Sequence, residues 1–177
     1  MYKFTTRQLR IEEGGHKAHQ EIQKHFPYGK AVRYRIYSDK VVVQSPELPV
    51  TTVPFDMVLV PEYKIDAELR FNLLACPTRK VNHKVISIVG TANLVRWLQE
   101  QGGKRGFQVL SWEKVIPHGL TQSMKGDEVR IHNKVEYQGL LRVVDQDLFN
   151  VVVGSKSSPS YGLGRAKYAG FGLLDVS

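Results

Sequence analysis

Residues 85–115, VISIVGTANLVRWLQEQGGKRGFQVLSWEKV, contain the pattern that decides the fold. Val85–Val89 is a short β-branched run that is typical of a strand. Thr91 is a favourable helix N-cap, apolar residues follow it at helical spacing, and Gly102-Gly103 is expected to close the helix. Phe107–Val115 then alternates as a strand does. The stretch therefore predicts a strand, a helix and a second strand in succession.

The same kinds of element are predicted on both sides of this stretch. Downstream, the sequence predicts strands at Val129–Val144 and Gly170–Val176 with a helix at Asp145–Val153 between them. Upstream, the spacing of apolar residues predicts a helix over 13–26. Further upstream strands are predicted at Tyr2–Leu9, Val32–Tyr37, Val41–Gln44 and Lys64–Ala75.

Both halves of the chain can be written as strand, helix, strand, strand and a return strand, although the first half lacks a clear second helix. The predicted fold class is α+β, with two tandem ferredoxin-like βαββαβ domains and antiparallel sheets. We expect an N-terminal domain at 1–80 and a C-terminal domain at 84–177. The short basic segment Thr78–Lys84 is predicted to be the linker between them.

Composition limits the class of protein. Among 177 residues, 42% are hydrophobic and 24% are charged, which excludes a largely disordered chain. Cys76 is the only cysteine, so an intrachain disulfide and a cysteine-based zinc cluster are both excluded. The sequence has neither the apolar core of a signal peptide nor a run of about 18 apolar residues. We expect a cytoplasmic protein with no membrane partner.

The charge of the chain favours a polyanionic partner. Lys and Arg number 25 against 17 Asp and Glu, which gives a net charge of +8. Two long stretches, Arg70–Gln99 and Leu148–Leu174, contain basic residues and no acid. A phosphate backbone can approach such stretches without repulsion, and bound Lys and Arg displace its counterions. A basic protein without a nucleic-acid partner remains the alternative.

Four glycines and two cations lie close together in residues 162–174, GLGRAKYAGFGLL. Glycine lets the backbone approach a phosphate closely, and Arg165 and Lys167 add positive charge. The spacing matches neither a Walker loop nor a dinucleotide-binding fingerprint. The segment is therefore either a phosphate-binding loop or a glycine-rich turn into a terminal strand. Tyr161 and Tyr168 are candidates for stacking on a nucleobase.

The pattern Gly-Leu-Gly-x-x-Lys-x-x-Gly-x-Gly-Leu-Leu at 162–174 resembles the C-terminal glycine-rich loop of the CasE-type CRISPR RNA endoribonucleases, which belong to the RAMP superfamily. Residues 19–27, 43–50 and 70–80 resemble the first helix, a segment after a strand, and the central strand with its basic turn. Arg96-Trp97-Leu98-Gln99 agrees with the end of a family helix. The resemblance therefore extends over most of the chain.

This resemblance implies a function as well as a RAMP-type tandem fold. The family cleaves CRISPR precursor RNA below a repeat stem-loop without a metal ion or another cofactor. The 2′-OH beside the scissile bond attacks the phosphate and leaves a 2′,3′-cyclic phosphate and a 5′-OH. The protein then stays on the RNA hairpin as a subunit of the prokaryotic Cascade complex, so the implied partners are CRISPR repeat RNA and the other Cascade-type subunits.

The resemblance also implies roles for single residues. His19 lies where the family has its catalytic histidine, and the neutral pKa of imidazole suits proton transfer. His16 lies where the family usually has a tyrosine, and we hypothesise that its imidazole donates a proton to the phosphate or to the leaving oxygen. On a helical wheel both could equally belong to an ordinary surface helix. Residues 117–136 resemble the hairpin that enters the groove of the RNA stem. The residues expected to bind RNA are Arg79, Lys80, Lys84, Lys125, Arg130, Lys134, Lys156, Gly162, Gly164, Arg165, Lys167 and Gly170.

Three alternatives stay open. A non-catalytic RAMP protein would bind CRISPR RNA structurally within an effector complex. The same chemistry could also serve a type IV or transposon-associated CRISPR system. A metal-dependent nuclease or nucleotide-binding enzyme is the alternative from another class, and no Asp/Glu cluster or Walker loop in the sequence supports it.

Overall fold

The computed structural model of the chain describes residues 1–9, 11, 15–27, 32–125, 128–156, 161–167 and 170–177, with only the backbone described at 15–16, 121–125 and 128–131. Two four-stranded antiparallel sheets, a small two-stranded sheet and three helices make up this part of the chain. The elements are β1 (Tyr2–Thr6), α1 (Gly15–His25), β2 (Arg33–Ile36), β3 (Val41–Ser45), β4 (Asp56–Leu59), β5 (Glu68–Ala75), β6 (Thr78–Val81), β7 (Lys84–Ser87), α2 (Thr91–Arg105), β8 (Phe107–Lys125), β9 (Glu128–Val143), α3 (Gln146–Val152) and β10 (Leu174–Val176).

The first sheet has the strand order β2-β3-β1-β4. Helix α1 packs against it because the apolar stripe Ala18, Ile22 and Phe26 is buried together with Phe4 of β1 and Val43 of β3. Burial of these side chains supplies the free energy that holds the helix on the sheet. The helix predicted in this part of the chain is therefore confirmed, and its apolar stripe determines which of its faces can meet a ligand.

The second sheet has the strand order β10-β5-β9-β8, and its core includes side chains from helices α2 and α3. Leu73 of β5, Leu98 of α2, Tyr137 of β9, Phe149 of α3 and Leu174 of β10 are all buried in one cluster. The predicted fold class is confirmed, because two antiparallel sheets with packed helices follow each other along the chain as tandem ferredoxin-like units.

Strand β5 pairs in the second sheet, whereas the sequence placed the strand at 64–75 in the first unit. Leu73 lies opposite Tyr137 of β9 on one side and opposite Leu174 of β10 on the other. The alternation of a strand shows which of its faces is buried, but it does not show which distant strand supplies the hydrogen bonds. The division of the chain into domains at 1–80 and 84–177 stays a prediction.

The predicted linker Thr78–Lys84 forms most of a β-hairpin. Arg79 of β6 lies opposite Ile86 of β7, and Asn82 and His83 make the turn with φ angles of 47° and 63°. Two successive residues with positive φ are typical of the tight turns that join antiparallel strands. The segment is therefore built of two short strands and a turn, and its place as the linker between two domains stays a prediction.

Helix α2 is longer than predicted, and its caps differ. Gly90 rather than Thr91 occupies the N-cap, and no side chain caps this end. The helix continues through Gly102-Gly103 and ends at Gly106, which has the left-handed conformation. Gly102 is required inside the helix because a Cβ there would lie 2.5 Å from the carbonyl oxygen of Phe107. Gly102 therefore marks close packing rather than the end of the helix.

Several predicted strands have different lengths in the structure, among them those at Phe107–Val115 and Gly170–Val176. Strands β8 and β9 form a long hairpin, with β8 alone comprising 19 residues and a register irregularity between Pro117 and Gly119. The predicted final strand at Gly170–Val176 begins only at Leu174, because Gly170 and Gly172 have φ angles of 83° and 85°. Helix α1 also contacts β8, so this hairpin lies beside the helix that contains the predicted catalytic residues.

Polar contacts fix the two sheets relative to each other. The Tyr37 hydroxyl donates to Asp175 Oδ2 at 2.7 Å, and the ammonium group of Lys3 forms an ion pair with the same carboxylate. Arg35 Nη2 donates to Glu136 Oε1 at 3.1 Å. Charged groups that are bonded in this way hold a defined geometry. These contacts therefore set the position of α1 relative to the C-terminal part of the chain.

Candidate functional site

His19 of α1 is half-buried, and its ring lies beside the ring of Tyr34 on β2. The two ring centroids are 6.4 Å apart, and the ring planes differ by 21°. Tyr34 itself is almost completely buried, and burial raises the pKa of its phenol well above the ordinary value. Because the Tyr34 ring is buried and neutral, its position is fixed, and it restricts the orientations that the His19 imidazole beside it can adopt.

The glycine-rich C-terminal segment reaches the same tyrosine. A Cβ at Gly170 would lie 2.8 Å from Tyr34 Cε2, and Gly170 has a φ of 83°. Only glycine can occupy this position without strain, because both the space and the backbone conformation exclude a side chain. His19 and the glycine-rich segment therefore meet at Tyr34. The sequence did not single out Tyr34, because an aromatic residue in a predicted strand usually belongs to a core.

Cations accumulate around Tyr161 and Lys167 of the glycine-rich part of the chain. Lys167 Nζ donates to the Tyr161 carbonyl oxygen at 2.8 Å. Its pKa is lowered to about 8, first by burial and then by the positive charges of Arg33 and Arg105. Arg33 lies over the Tyr161 ring at 4.9 Å and is itself buried. Three cations in a partly desolvated region produce a positive potential that favours a phosphate. Sequence reasoning found Lys167 but missed both arginines, which are distant from it in the chain.

The glycine-rich segment uses several of its backbone N–H groups internally. The N–H of Gly162 donates to Val152 O at 2.8 Å, that of Leu163 to Gly172 O at 2.7 Å, and that of Gly172 to Leu74 O at 2.7 Å. These three groups hold the segment against the rest of the protein and are not directed at a ligand. The predicted binding of RNA would therefore use the other groups of this segment, above all its two cations.

Tyr161 does not have the exposure that stacking on a base requires. Its side chain is fully buried, and its hydroxyl donates to Gln44 O at 3.1 Å. The expectation of base stacking at this residue was wrong, because the ring is enclosed by the protein, with the Arg33 guanidinium over its face and Gly154 beside it. Tyr168, the second stacking candidate, lies outside the described residues.

The remaining predicted residues have different surroundings. Arg79, Lys80, Lys84 and Arg165 are exposed, Lys134 is half-buried on β9, and Lys156 forms an ion pair with Asp147. Gly164 lies against Trp97, where a Cβ would be 3.4 Å from the indole. The side chains of His16, Lys125 and Arg130 lie outside the described part of the structure, although their backbones belong to α1, β8 and β9. Contact of all these residues with RNA stays a prediction.

The described part of the chain has neither a metal-binding cluster nor a membrane-spanning helix. No group of three or more His, Cys, Asp or Glu side chains there could hold a metal ion. None of the described helices combines the length and the apolar character needed to cross a membrane.

Comparison with known proteins identifies the family. The sequence profile of the family described as CRISPR associated protein matches residues 4–177, which is almost the whole chain. The chain belongs to this family. A search of curated protein sequences gave no match. The family resemblance that the sequence indicated is therefore confirmed.

Solved structures agree with the fold of this CRISPR-associated protein. A CRISPR endoribonuclease Cse3 bound to a 19-nucleotide RNA superimposes with a TM-score of 0.81 at 19% identity, with both chains covered completely. Cas6e from Escherichia coli gives a TM-score of 0.74 at 20% identity, with 100% of this chain and 99% of that one covered. A chain of the E. coli Cascade complex bound to double-stranded DNA gives 0.58 at 19% identity, with 100% and 99% covered. At these identities the likeness establishes the fold.

Proposed function

We propose that this CRISPR-associated protein is an endoribonuclease that cleaves CRISPR precursor RNA below the repeat stem-loop and stays on the hairpin. The observation that supports the proposal most strongly is the meeting of His19 and Gly170 at Tyr34. A titratable imidazole from the first helix and a cation-rich C-terminal segment thereby face one region. Membership of the family and the fold shared with Cse3 and Cas6e agree with this function.

In the proposed reaction the RNA itself supplies the nucleophile. The 2′-OH next to the scissile phosphate loses its proton and attacks the phosphorus, while the bond to the 5′-oxygen breaks and that oxygen takes up a proton. The products are a 2′,3′-cyclic phosphate and a 5′-OH. His19 carries one of the two proton transfers, and Lys167 with Arg33 offsets the negative charge of the pentacoordinate phosphorane. His16 is the candidate for the second proton transfer, and we propose that no metal ion takes part.

The proposed binding of the stem uses the β8–β9 hairpin. A-form RNA presents mainly phosphates and 2′-hydroxyls to a protein, so a basic hairpin can recognise its shape. Lys125, Arg130 and Lys134 lie on these two strands. We also propose that the protein acts in the cytoplasm as a subunit of a Cascade-type complex, as the fold shared with a Cascade chain suggests.

Cleavage of the repeat RNA in the presence of EDTA by wild type and His19→Ala tests the function. We expect wild type to cut the RNA and the variant to be slower by about 10²–10⁴-fold, because a positioned acid or base contributes that factor. Binding of the hairpin should be retained. The matched control is His25→Ala, which removes an imidazole from the end of the same helix, where Nδ1 lies 2.7 Å from Thr51 Oγ1. His16→Phe, measured in parallel, should also cut more slowly.

The termini of the products should be mapped as well as their lengths. A 2′,3′-cyclic phosphate with a 5′-OH agrees with the proposal, whereas a 3′-OH with a 5′-phosphate contradicts it. Binding without any cleavage by wild type would instead identify a non-catalytic RNA-binding subunit. Cleavage that stops in EDTA would contradict metal independence.

A further inference from the structure

A groove separates the β6–β7 hairpin from helix α2, and it has a volume of about 360 Å³. The hairpin is held in place by Ile88, whose N–H donates to Pro77 O and whose carbonyl accepts from Asn133 Nδ2 at 2.7 Å. Both strands of the hairpin are otherwise exposed for almost their whole length. A two-stranded ribbon of this kind is marginally stable alone and adds little to the core. Its arrangement against α2 therefore indicates that the hairpin and the helix together form a surface that binds a ligand.

Three cations line the groove from two different elements. Arg79 comes from β6, and Arg96 and Lys104 come from α2. The two α2 residues are eight positions apart, which corresponds to about 12 Å along the helix axis. All three side chains are exposed. Within the described residues none of them forms an ion pair, unlike Arg70 and Arg142, which are paired with glutamates. Their charges are therefore available to an anionic ligand.

The other polar groups in the groove suit a nucleotide better than an inorganic anion. Gln101 presents an amide group, and Asn93 presents its amide oxygen, since its Nδ2 donates to Val89 O at 3.0 Å. Glu100 lies on the same side of α2 between Arg96 and Lys104. Amides can bond to the edges of bases, and a carboxylate can accept from a base amino group or a 2′-hydroxyl. A carboxylate would only repel a free phosphate. The groove combines charge for the backbone with donors and acceptors for bases.

The groove also adjoins the proposed cleavage site. Trp97 lines the groove and is 5% exposed, and its indole packs against Gly164 of the glycine-rich segment. A strand of RNA that leaves this segment can therefore enter the groove. A cavity of this size is at the lower end of the range for small ligands, so it admits a nucleotide of a single strand and excludes a duplex.

We propose that the groove between β6–β7 and α2 binds single-stranded RNA that flanks the repeat hairpin. The proposal rests on the proposed function, because it takes the hairpin as the substrate. It assigns Arg79, Arg96 and Lys104 to the phosphates of the flank, and Asn93 and Gln101 to its bases. The flank adds affinity and fixes the register of the RNA at the cleavage site.

Fluorescence anisotropy with two RNAs tests the proposal. One RNA is the repeat hairpin alone, and the other carries a few unpaired nucleotides on both sides of the hairpin. All proteins carry His19→Ala so that the RNA stays intact. Arg96→Gln/Lys104→Gln should lower the affinity for the flanked RNA by about tenfold and flatten its salt dependence, because two phosphate contacts are lost. The affinity for the hairpin alone should change by less than about twofold.

The matched control is Arg70→Gln/Arg142→Gln, which removes the same charge from ion pairs on the second sheet. It should leave both affinities nearly unchanged. Equal weakening on both RNAs by the groove variant, no weakening on either, or no gain from the flank in the parent protein would each overturn the proposal. Cleavage of the hairpin by the protein with His19 intact is measured separately. The proposal about the groove can therefore be contradicted while the proposed endoribonuclease function is supported.

Discussion

At the scale of single residues, Lys167 links the charge of the site to pH. Its pKa of about 8 means that the ammonium group of the free protein starts to lose its proton in mildly alkaline solution. A phosphate beside it would raise that pKa again, so the complex with RNA holds more protons than the free protein. The affinity for RNA should therefore fall as the pH rises above about 8, approaching tenfold per pH unit.

Anisotropy titrations between neutral and alkaline pH measure this slope. Lys167→Arg should flatten it, because a guanidinium stays charged over the whole range. Lys24→Arg is the matched control, because Lys24 is exposed on α1 and bonded to Glu21. It should retain the wild-type slope. An unchanged slope in Lys167→Arg would show that Lys167 does not contact the RNA.

Part of the candidate site could be predicted from the sequence. His19 and Lys167 were found through a family pattern that depends on position in the chain. Tyr34, Arg33 and Arg105 were missed, because their importance comes from folding rather than from local spacing. A buried tyrosine looks like any other core residue until the structure shows which side chains pack against it.

At the scale of elements, the two adjacent glycines of α2 have opposite expected effects. A Cβ at Gly102 would meet the carbonyl oxygen of Phe107 at 2.5 Å, whereas a Cβ at Gly103 meets nothing within 4 Å. Gly102→Ala should lower the free energy of unfolding by about 1–3 kcal/mol, because backbone has to move. Gly103→Ala should raise it by about 0.5–1 kcal/mol, because alanine restricts the unfolded chain and favours a helix.

Urea unfolding of both variants beside wild type measures the difference, and each variant serves as the control for the other. Stabilisation by both alanines would contradict the packing of Gly102 against Phe107. The observed course of α2 through this pair also explains why its end could not be predicted. A glycine that ends a helix and a glycine that lets a strand approach are identical in the sequence, and only tertiary contacts separate them.

Local patterns did predict α1, the β2–β3 pair and α3. Asp145 precedes α3 and accepts a hydrogen bond from the Leu148 N–H at 3.0 Å, so the helix start was encoded in neighbouring residues. Strand β7 was predicted at Val85–Val89, but its partner β6 was missed, because a four-residue strand contains too few alternations to be distinguished from a basic loop.

At the scale of the whole molecule, Glu136 ties the two sheets together. Its carboxylate accepts from Arg35 at 3.1 Å, His118 at 3.0 Å and Gln138 at 3.0 Å. Burial raises its pKa, but the hydrogen bond from His118, the charge of Arg35 and the bonds from Gln138 and Asn72 together lower it below the ordinary value. Glu136→Gln should destabilise the protein by about 2 kcal/mol at neutral pH, because Arg35 is buried and would lose its counter-charge.

The sign of the pH dependence follows from the lowered pKa. The stabilisation by the carboxylate is complete above its ordinary pKa of 4.5 and is lost as the pH falls through the lower folded value. Unfolding measured from neutral to acidic pH should show the gap between wild type and Glu136→Gln closing only in acid. Glu113→Gln, which breaks an exposed pair with Arg70, should cost less than about 1 kcal/mol at every pH. A gap that persists in acid would contradict this role for the ionised carboxylate.

The sequence predicted the fold class of the molecule but not which strands pair within each sheet. The alternation of apolar residues indicated two antiparallel units, and both exist. The place of β5 beside β9 and β10 depends on partners far along the chain, which periodicity does not record.

The contact between Lys3 and Asp175 joins positions 172 residues apart, and β10 closes the second sheet against β5. Pairings over such distances delay folding, because the chain loses much of its freedom before they form. On the ribosome, a nascent chain that still lacks residues 174–176 already contains His19 but has an unfinished second sheet. The second sheet can therefore be completed only after residues 174–176 have been translated and β10 can pair with β5.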